Sequence, residues 1–287
     1  MIAPGTQIGA YRVVGPIGRG GMGGVVEVED ARGARFAMKS PLVDVDSTGE
    51  VTRRFAREAN ALRLLEHPNL VAAVDVFVEG GTLYLVMEKV VGRTLGKAVV
   101  AGLGPRQVLV FVRQLLAGVG HAHANGFVHR DLKPDNVLLA ARDGWELAKI
   151  IDFGMVKLVG DAAAAYGSGA LTRTGMVNGT PAYMAPEQAL GRLLDGRADL
   201  YSLGVILYEA LSGRLPFDDR DPVLVMRHHA KTPPPPLVEI VGHVAWTTGP
   251  LLALVERAMA KQPDDRFATA ADMTAALDDA FASLDHL

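Results

Sequence analysis

His129-Arg130-Asp131-Leu132-Lys133-Pro134-Asp135-Asn136, with Asp152-Phe153-Gly154 further along, is the stretch from which the rest of the chain is read. Asp131 and Asn136 are close enough in sequence to face one site from a tight loop, and Asp152 can enter that site from a second loop. Oxygen-bearing side chains then converge, and hard Mg2+ ions are bound by such groups. Moving a phosphoryl group from an anionic triphosphate to a hydroxyl needs metal ions for the charge and a carboxylate for the proton. The string therefore implies phosphoryl transfer.

Working outward, 287 residues of which 49% are hydrophobic can bury a large core, as one large domain or two closely packed lobes. A net charge of −3 without a basic stripe argues against a nucleic-acid partner. The absence of cysteine excludes disulfides, zinc–thiolate sites and Cys nucleophiles, and fits a reducing compartment. Met1-Ile2-Ala3-Pro4-Gly5 has neither an early basic residue nor a following apolar run, so it does not read as a signal peptide. The most apolar helical region, Val108 to Ala124, is broken by Arg113, Gln114, His121 and His123, and no run reaches the ~18 apolar residues of a membrane span. The expectation is a cytoplasmic chain without a membrane segment, or the cytoplasmic catalytic domain of a longer membrane protein.

Short β-like runs dominate from Tyr11 to about Val90: Tyr11–Val14, Val25–Val28, Phe36–Lys39, Val74–Val78 and Leu83–Glu88. Phe55, Leu62 and Leu65 recur at helical spacing with charges between them, which predicts one amphipathic helix over Thr52–Glu66. Beyond Gly92 the pattern changes to long helices over Arg106–Asn125, Gly196–Ser212, Leu251–Lys261 and Thr269–Leu284. Gly160 to Gly179 has the Gly, Ala, Thr and Ser composition of a long loop, and Pro233 to Pro236 reads as a stiff connector between helices.

Gly18-Arg19-Gly20-Gly21-Met22-Gly23-Gly24-Val25 lies between two strand-like runs. Without Cβ atoms, such a loop lies close over phosphates with its N–H groups inward. A dinucleotide loop would open a helix and a P-loop would end in Gly-Lys-Ser/Thr, and neither occurs. Lys39, on the next strand, can reach the α and β phosphates, and Glu58 on the following helix is its natural counter-charge. His121, His123, His228 and His229 read as surface or core histidines rather than a metal cluster. Glu209 and Asp278 read as solvated helix-face carboxylates.

The glycine loop, Lys39, Glu58, HRDLKPDN, DFG and Ala185-Pro186-Glu187 stand in the order of the eukaryotic-like (Hanks-type) protein kinases, which the chain resembles over roughly Tyr11 to Phe281. The resemblance implies an α+β, two-lobed fold over 1–287: residues 1–90 form a small antiparallel β-sheet lobe with one helix, and 91–287 a larger, mostly helical lobe carrying an activation segment over 152–187. It implies Asp131 as catalytic base, Lys133 as γ-phosphate contact, Asn136 and Asp152 as metal ligands, and ATP with Mg2+, or alternatively Mn2+, as cofactors. Nucleotide contacts fall on Ile17, Gly18, Arg19, Gly20, Gly21, Met22, Gly23, Val25, Ala37, Lys39 and Leu138, with Met87 as gatekeeper and Glu88 and Val90 as hinge. Glu187 with Arg266 resembles the buried ion pair of the docking segment, and Asp199 the helix residue that holds the catalytic loop.

Lys133 and Gly179-Thr180-Pro181 follow the serine/threonine pattern, in which Thr180 bonds to Asp131 and Lys133. Arg130 beside the base suggests control by phosphorylation, with Thr172 and Thr174 as autophosphorylated positions. Lys89, Val26 and Ala73 depart from the usual hinge aromatic, loop tyrosine and spine leucine or methionine. Arg93 and Thr94 stand where arginine-directed members place glutamate. Protein substrates bearing Ser or Thr are the implied partners, and a homodimer is compatible with the bacterial look of the loop spelling. Against the alternatives, a pseudokinase or nucleotide-binding scaffold commonly loses the lysine, base or metal aspartate. A small-molecule kinase generally lacks HRDLKP and Ala-Pro-Glu.

Overall fold

The computed structural model describes residues 2–20, 23–40, 63, 65–151 and 181–284. They divide into two compact units, one running to Val91 and the other built from Gly92 onward. The helix expected over Thr52–Glu66, apart from 63, 65 and 66, and the loop over 160–179 lie outside the described residues.

The first unit is a six-stranded antiparallel sheet in the order β1-β2-β3-β4-β6-β5. Its strands are β1 (Gln7–Ile8), β2 (Tyr11–Gly20), β3 (Gly23–Glu29), β4 (Arg35–Lys39), β5 (Ala73–Glu79) and β6 (Thr82–Glu88). Alternation along a strand sends successive side chains to opposite faces. Val26, Val28, Met38 and Val86 thereby join Ile8, Tyr11 and Val13 in one buried cluster, with Phe36, Phe77 and Tyr84 packed against it. Tyr11 meets Phe36 edge-on at 5.9 Å and stacks on Phe77 at 6.1 Å. Val25, Ala37, Lys39 and Met87 are displaced by one residue and so occupy the opposite face.

The second unit is mostly helical, but it also contains a three-stranded antiparallel sheet, β7 (Arg93–Thr94), β8 (Val137–Arg142) and β9 (Trp145–Ile150), which the sequence reading did not separate from the helices. Gly92, just before β7, is required sterically: a Cβ there would lie 2.1 Å from the carbonyl oxygen of Leu139. The Arg197–Ser212 helix is buried on nearly every side, from Ala198 through Tyr208 and again at Ala210, as expected of a helix at the centre of a core rather than on its surface. Each large apolar side chain it removes from water contributes about 1.5–3 kcal/mol. The Pro105–Ala124 and Gly249–Ala258 helices pack on it, and the Ala270–Ser283 helix packs on both of those. Proline at the first turn starts Pro105–Ala124. Thr269 and Asp272 form a reciprocal capping box that starts Ala270–Ser283.

His229, on the Pro222–Lys231 helix, is fully buried. Its Nδ1 lies 2.9 Å from the Tyr201 hydroxyl, and its ring meets Phe217 edge-on at 4.9 Å. Burial, with the Lys261 ammonium adding repulsion, pushes its pKa down to about 3. The unfolded chain, with an ordinary histidine, takes up the proton near pH 6.5 while the native state does not. Native stability is therefore present above that pH and is lost as pH falls toward the native value, at about 1.4 kcal/mol per unit. Urea unfolding at pH 7 and pH 5 is expected to show wild type losing about 2 kcal/mol more than His229→Gln. Equal losses in both proteins would show that His229 is not held neutral.

Candidate active site

The first unit offers one face of its sheet. Val25 pairs with Lys39 across β3 and β4, Lys39 with Leu85 and Ala37 with Met87 across β4 and β6, and Met87 with Ala73 across β6 and β5. Directly opposed residues share a face, so Lys39, Val25, Ala37, Met87 and Ala73 stand together. Lys39 is 4% exposed, an unusual burial for an ammonium. The N–H of Glu88 donates to the Ala72 carbonyl at 3.0 Å, and its carboxylate accepts from the Ala72 N–H at 3.0 Å. The Glu88 N–H is thus already committed within the sheet. Val90 is half-buried and Ile17 exposed. Gly18 pairs with Val25, Arg19 with Gly24 and Gly20 with Gly23, so the glycine motif forms the end of the β2–β3 hairpin. Gly21 and Met22 at its tip lie outside the described residues.

The second unit builds the HRDLKPDN loop. Arg130 has φ +69°, a left-handed conformation that costs a non-glycine residue on the order of 1–3 kcal/mol and persists only when its surroundings hold it. Asp199 does much of the holding. It is fully buried in the first turn of the Arg197–Ser212 helix. Its Oδ2 accepts from the His129 N–H at 2.8 Å, and its Oδ1 accepts from the Arg130 N–H at 2.9 Å. Helix N-terminal dipoles favour its negative charge. Gln188 Nε2 donates to the Arg130 carbonyl at 2.8 Å and closes the strained residue from the other side. The Nε of Arg130 is buried without a hydrogen-bond partner among the described residues.

Within the loop, the Asp131 N–H donates to His129 Nδ1 at 3.2 Å. An accepting Nδ1 places the ring proton on Nε2, which donates to the Ile151 carbonyl at 3.1 Å. The Ile151 N–H in turn donates to the Asn136 carbonyl at 2.9 Å. The residue before Asp152 is thus tied to the loop through both of its backbone groups. Asn136 Nδ2 donates to the Asp131 carbonyl at 2.8 Å and to Asp131 Oδ2 at 3.2 Å, and Lys133 Nζ pairs with the same Oδ2 at 3.2 Å. These bonds orient the Asp131 carboxylate, bring Asp131, Lys133 and Asn136 together, and fix the Asn136 amide with Oδ1 as its remaining acceptor. Leu138, next along, is half-buried on β8 between Thr94 and Lys149. Glu58, Asp152, Thr172, Thr174 and Thr180 lie outside the described residues.

Sequence reasoning missed three contributors. His123 Nε2 donates to Asp199 Oδ2 at 2.8 Å, which makes it a positioning residue rather than an ordinary histidine. Gly196 admits it, since a Cβ there would come within 2.6 Å of His123 Nδ1. The one available signal was its place near the C-terminal end of the Pro105–Ala124 helix, just before the loop. Gln188, adjacent to Glu187, carried no signal at all. Glu209 corrects an expectation: it is half-buried rather than solvated, and its Oε2 accepts from the Tyr183 hydroxyl at 2.7 Å. Burial raises its pKa, the Tyr183 bond opposes this, and the Asp135 charge raises it further. Asp278 is exposed and pairs with Arg113 at 3.3 Å.

Glu187 and Arg266 meet as a bidentate pair at 2.7 and 2.7 Å. Arg266 also donates to the carbonyls of Ala260 at 2.7 Å, Arg197 at 3.1 Å and Lys261 at 3.0 Å. All five guanidinium protons are thereby used.

The family profile described as "Protein kinase domain" matches residues 11–281. Over 280 residues the chain is 41% identical to serine/threonine-protein kinase Pkn1 of Myxococcus xanthus, covering 97% of this chain and 39% of that protein. It is 36% identical over 276 residues to serine/threonine-protein kinase PrkC of Bacillus subtilis, covering 95% of this chain and 41% of that protein. The chain therefore spans about two fifths of the length of these relatives. The crystal structure of the Mycobacterium tuberculosis PknI kinase domain superposes with a TM-score of 0.74 at 25% identity, covering 98% of this chain and 99% of that one.

Proposed function

The chain belongs to the protein kinase family, and on that premise we propose that it transfers the γ-phosphate of ATP to serine or threonine hydroxyls of proteins. One observation carries the reading: the carboxylate of Asp131 is oriented by Lys133 Nζ and Asn136 Nδ2 in a loop anchored on Asp199. A general base must be presented in one geometry to the proton it accepts. Asp131 receives the proton of the attacking hydroxyl as the oxygen–phosphorus bond forms and the bond to the ADP leaving oxygen breaks. Lys133, already beside Asp131, meets the charge of the moving phosphoryl group. The family resemblance assigns Lys39 to the α and β phosphates, with Glu58 as its counter-charge, and Thr180 to a supporting role beside Asp131 and Lys133. The same resemblance assigns Val25, Ala37 and Leu138 to the apolar faces around the base, Met87 to the gatekeeper position, and the backbone groups of Glu88 and Val90 to the hinge.

Protein kinases use ATP with a divalent metal, and the donors here fit a hard cation. Asn136 turns an amide oxygen away from its two donated bonds, and Asp152 adds a carboxylate of the kind Mg2+ or Mn2+ takes. When bound, the metal neutralises phosphate charge. The test is label transfer from γ-labelled, but not α-labelled, ATP to a generic protein acceptor, dependent on Mg2+ and abolished by EDTA. No transfer, or transfer indifferent to chelation, would overturn the reading.

Regulation follows from Arg130. Its buried guanidinium Nε suits pairing with a phosphate on the segment that precedes Pro181. Mass spectrometry after incubation with ATP and Mg2+ is expected to find phosphate on Thr172 and Thr174, with a rise in rate. Phosphate on neither would refute it.

A further inference from the structure

The second unit holds a cavity of about 310 Å³ that the proposed reaction does not use. Its walls are the Pro233–Pro236 run, Leu252, Val255 and Met259, with Lys261 at one side. Prolines have no N–H to offer, so this surface is apolar with few donors, the usual make-up of a small-molecule site.

Lys261 is the chemical exception. It is half-buried, yet it forms no ion pair among the described residues. Its Nζ donates to the Tyr201 hydroxyl at 3.3 Å and lies 4.8 Å from the centre of the Phe217 ring. Burial, with repulsion from the nearby Arg266 charge adding to it, pushes its pKa down to about 8. Rings attract a cation but do not replace a counter-ion, and a desolvated charge without one is unfavourable. Glu256, also on the wall, is exposed and makes no pair with Lys261.

We propose that this cavity binds a small amphipathic carboxylate, an aliphatic or aromatic acid whose hydrocarbon body fills the proline-walled space and whose carboxylate pairs with Lys261. The site adjoins a structural anchor. The carbonyls of Ala260 and Lys261, both wall residues, accept from Arg266 Nε and Nη2. Arg266 grips Glu187, and neighbouring Gln188 holds the Arg130 carbonyl. A ligand that binds only the native state raises its melting temperature, and here it does so at a wall that supports the anchor.

Isothermal titration with octanoate and with octylamine, below their micelle concentrations, tests this on wild type, Lys261→Met and Leu252→Trp. Met keeps the hydrocarbon stem and removes the charge, and Trp at half-buried Leu252 fills the space. Octanoate is expected to bind one saturable site and raise the melting temperature. Its affinity should fall at least tenfold in Lys261→Met and be lost in Leu252→Trp, whose folding is checked by circular dichroism. Failure of octanoate to saturate, equal binding of octylamine, or undiminished binding to Lys261→Met would each overturn the proposal. The wild-type comparison of the two probes decides even where a variant does not fold. Neither result depends on phosphoryl transfer, so this proposal stands or falls separately from the kinase reading.

Discussion

Asp131→Asn is expected to lower kcat by on the order of 10²- to 10⁴-fold, the usual worth of a positioned general base, while the fold and the KM for ATP change little. The amide keeps an oxygen that accepts from Asn136 Nδ2, and the backbone bond from Asp131 N–H to His129 Nδ1 is untouched. What disappears is the negative charge: the pairing with Lys133 at 3.2 Å and the capacity to take a proton. Losing a partly exposed ion pair costs up to about 1 kcal/mol of stability, too little to unfold the chain. Steady-state rates with matched urea unfolding curves separate the two effects. A variant as active as wild type would remove Asp131 from the reaction, and a variant that is inactive only because it is unfolded would leave its chemical role unsupported.

Arg266→Leu carries the largest expected cost in stability, about 3–5 kcal/mol, because it strands the buried Glu187 carboxylate without its counter-charge. Glu187 is 5% exposed and Arg266 2%, so water cannot replace the lost partner. Against a native stability of about 5–15 kcal/mol, that loss is a large share of the whole. Glu187→Leu combined with Arg266→Leu should recover part of it, since the unpaired charge is gone. Only part returns, because the carbonyls of Ala260, Arg197 and Lys261 still lose their donor. Urea midpoints check both statements. Arg266→Leu within about 1 kcal/mol of wild type, or a double variant no better than the single, would contradict them.

What the sequence disclosed, and what it hid, follows the range of the forces. Strands such as Leu83–Glu88 and helices such as Arg106–Asn125 were visible because local periodicity encodes which face is buried, and the structure places them at Thr82–Glu88 and Pro105–Ala124. The β7–β9 sheet was obscured because Val137-Leu138-Leu139-Ala140 is a continuous apolar run, which reads equally well as part of a helix. Asp131, Lys133 and Asn136 were legible because they lie within one motif. Of the support beneath them, Asp199 was legible through the family resemblance, whereas His123 and Gln188 were not. His123 and Asp199 are separated by 76 positions, and Gln188 and Arg130 by 58, and such bonds exist only once the helices have packed. Glu209 was misread for the same reason, since a helix-face carboxylate looks solvated until Tyr183 arrives over it.

The transfer of phosphate to an alcohol side chain of a protein is tested most directly by phosphoamino-acid analysis of an acceptor incubated with γ-labelled ATP, Mg2+ and the purified chain. Label in phosphoserine and phosphothreonine, absent from phosphotyrosine and lost with Asp131→Asn, is the expected result. Label in phosphotyrosine alone, no protein-bound label, or equal label from wild type and Asp131→Asn would contradict it.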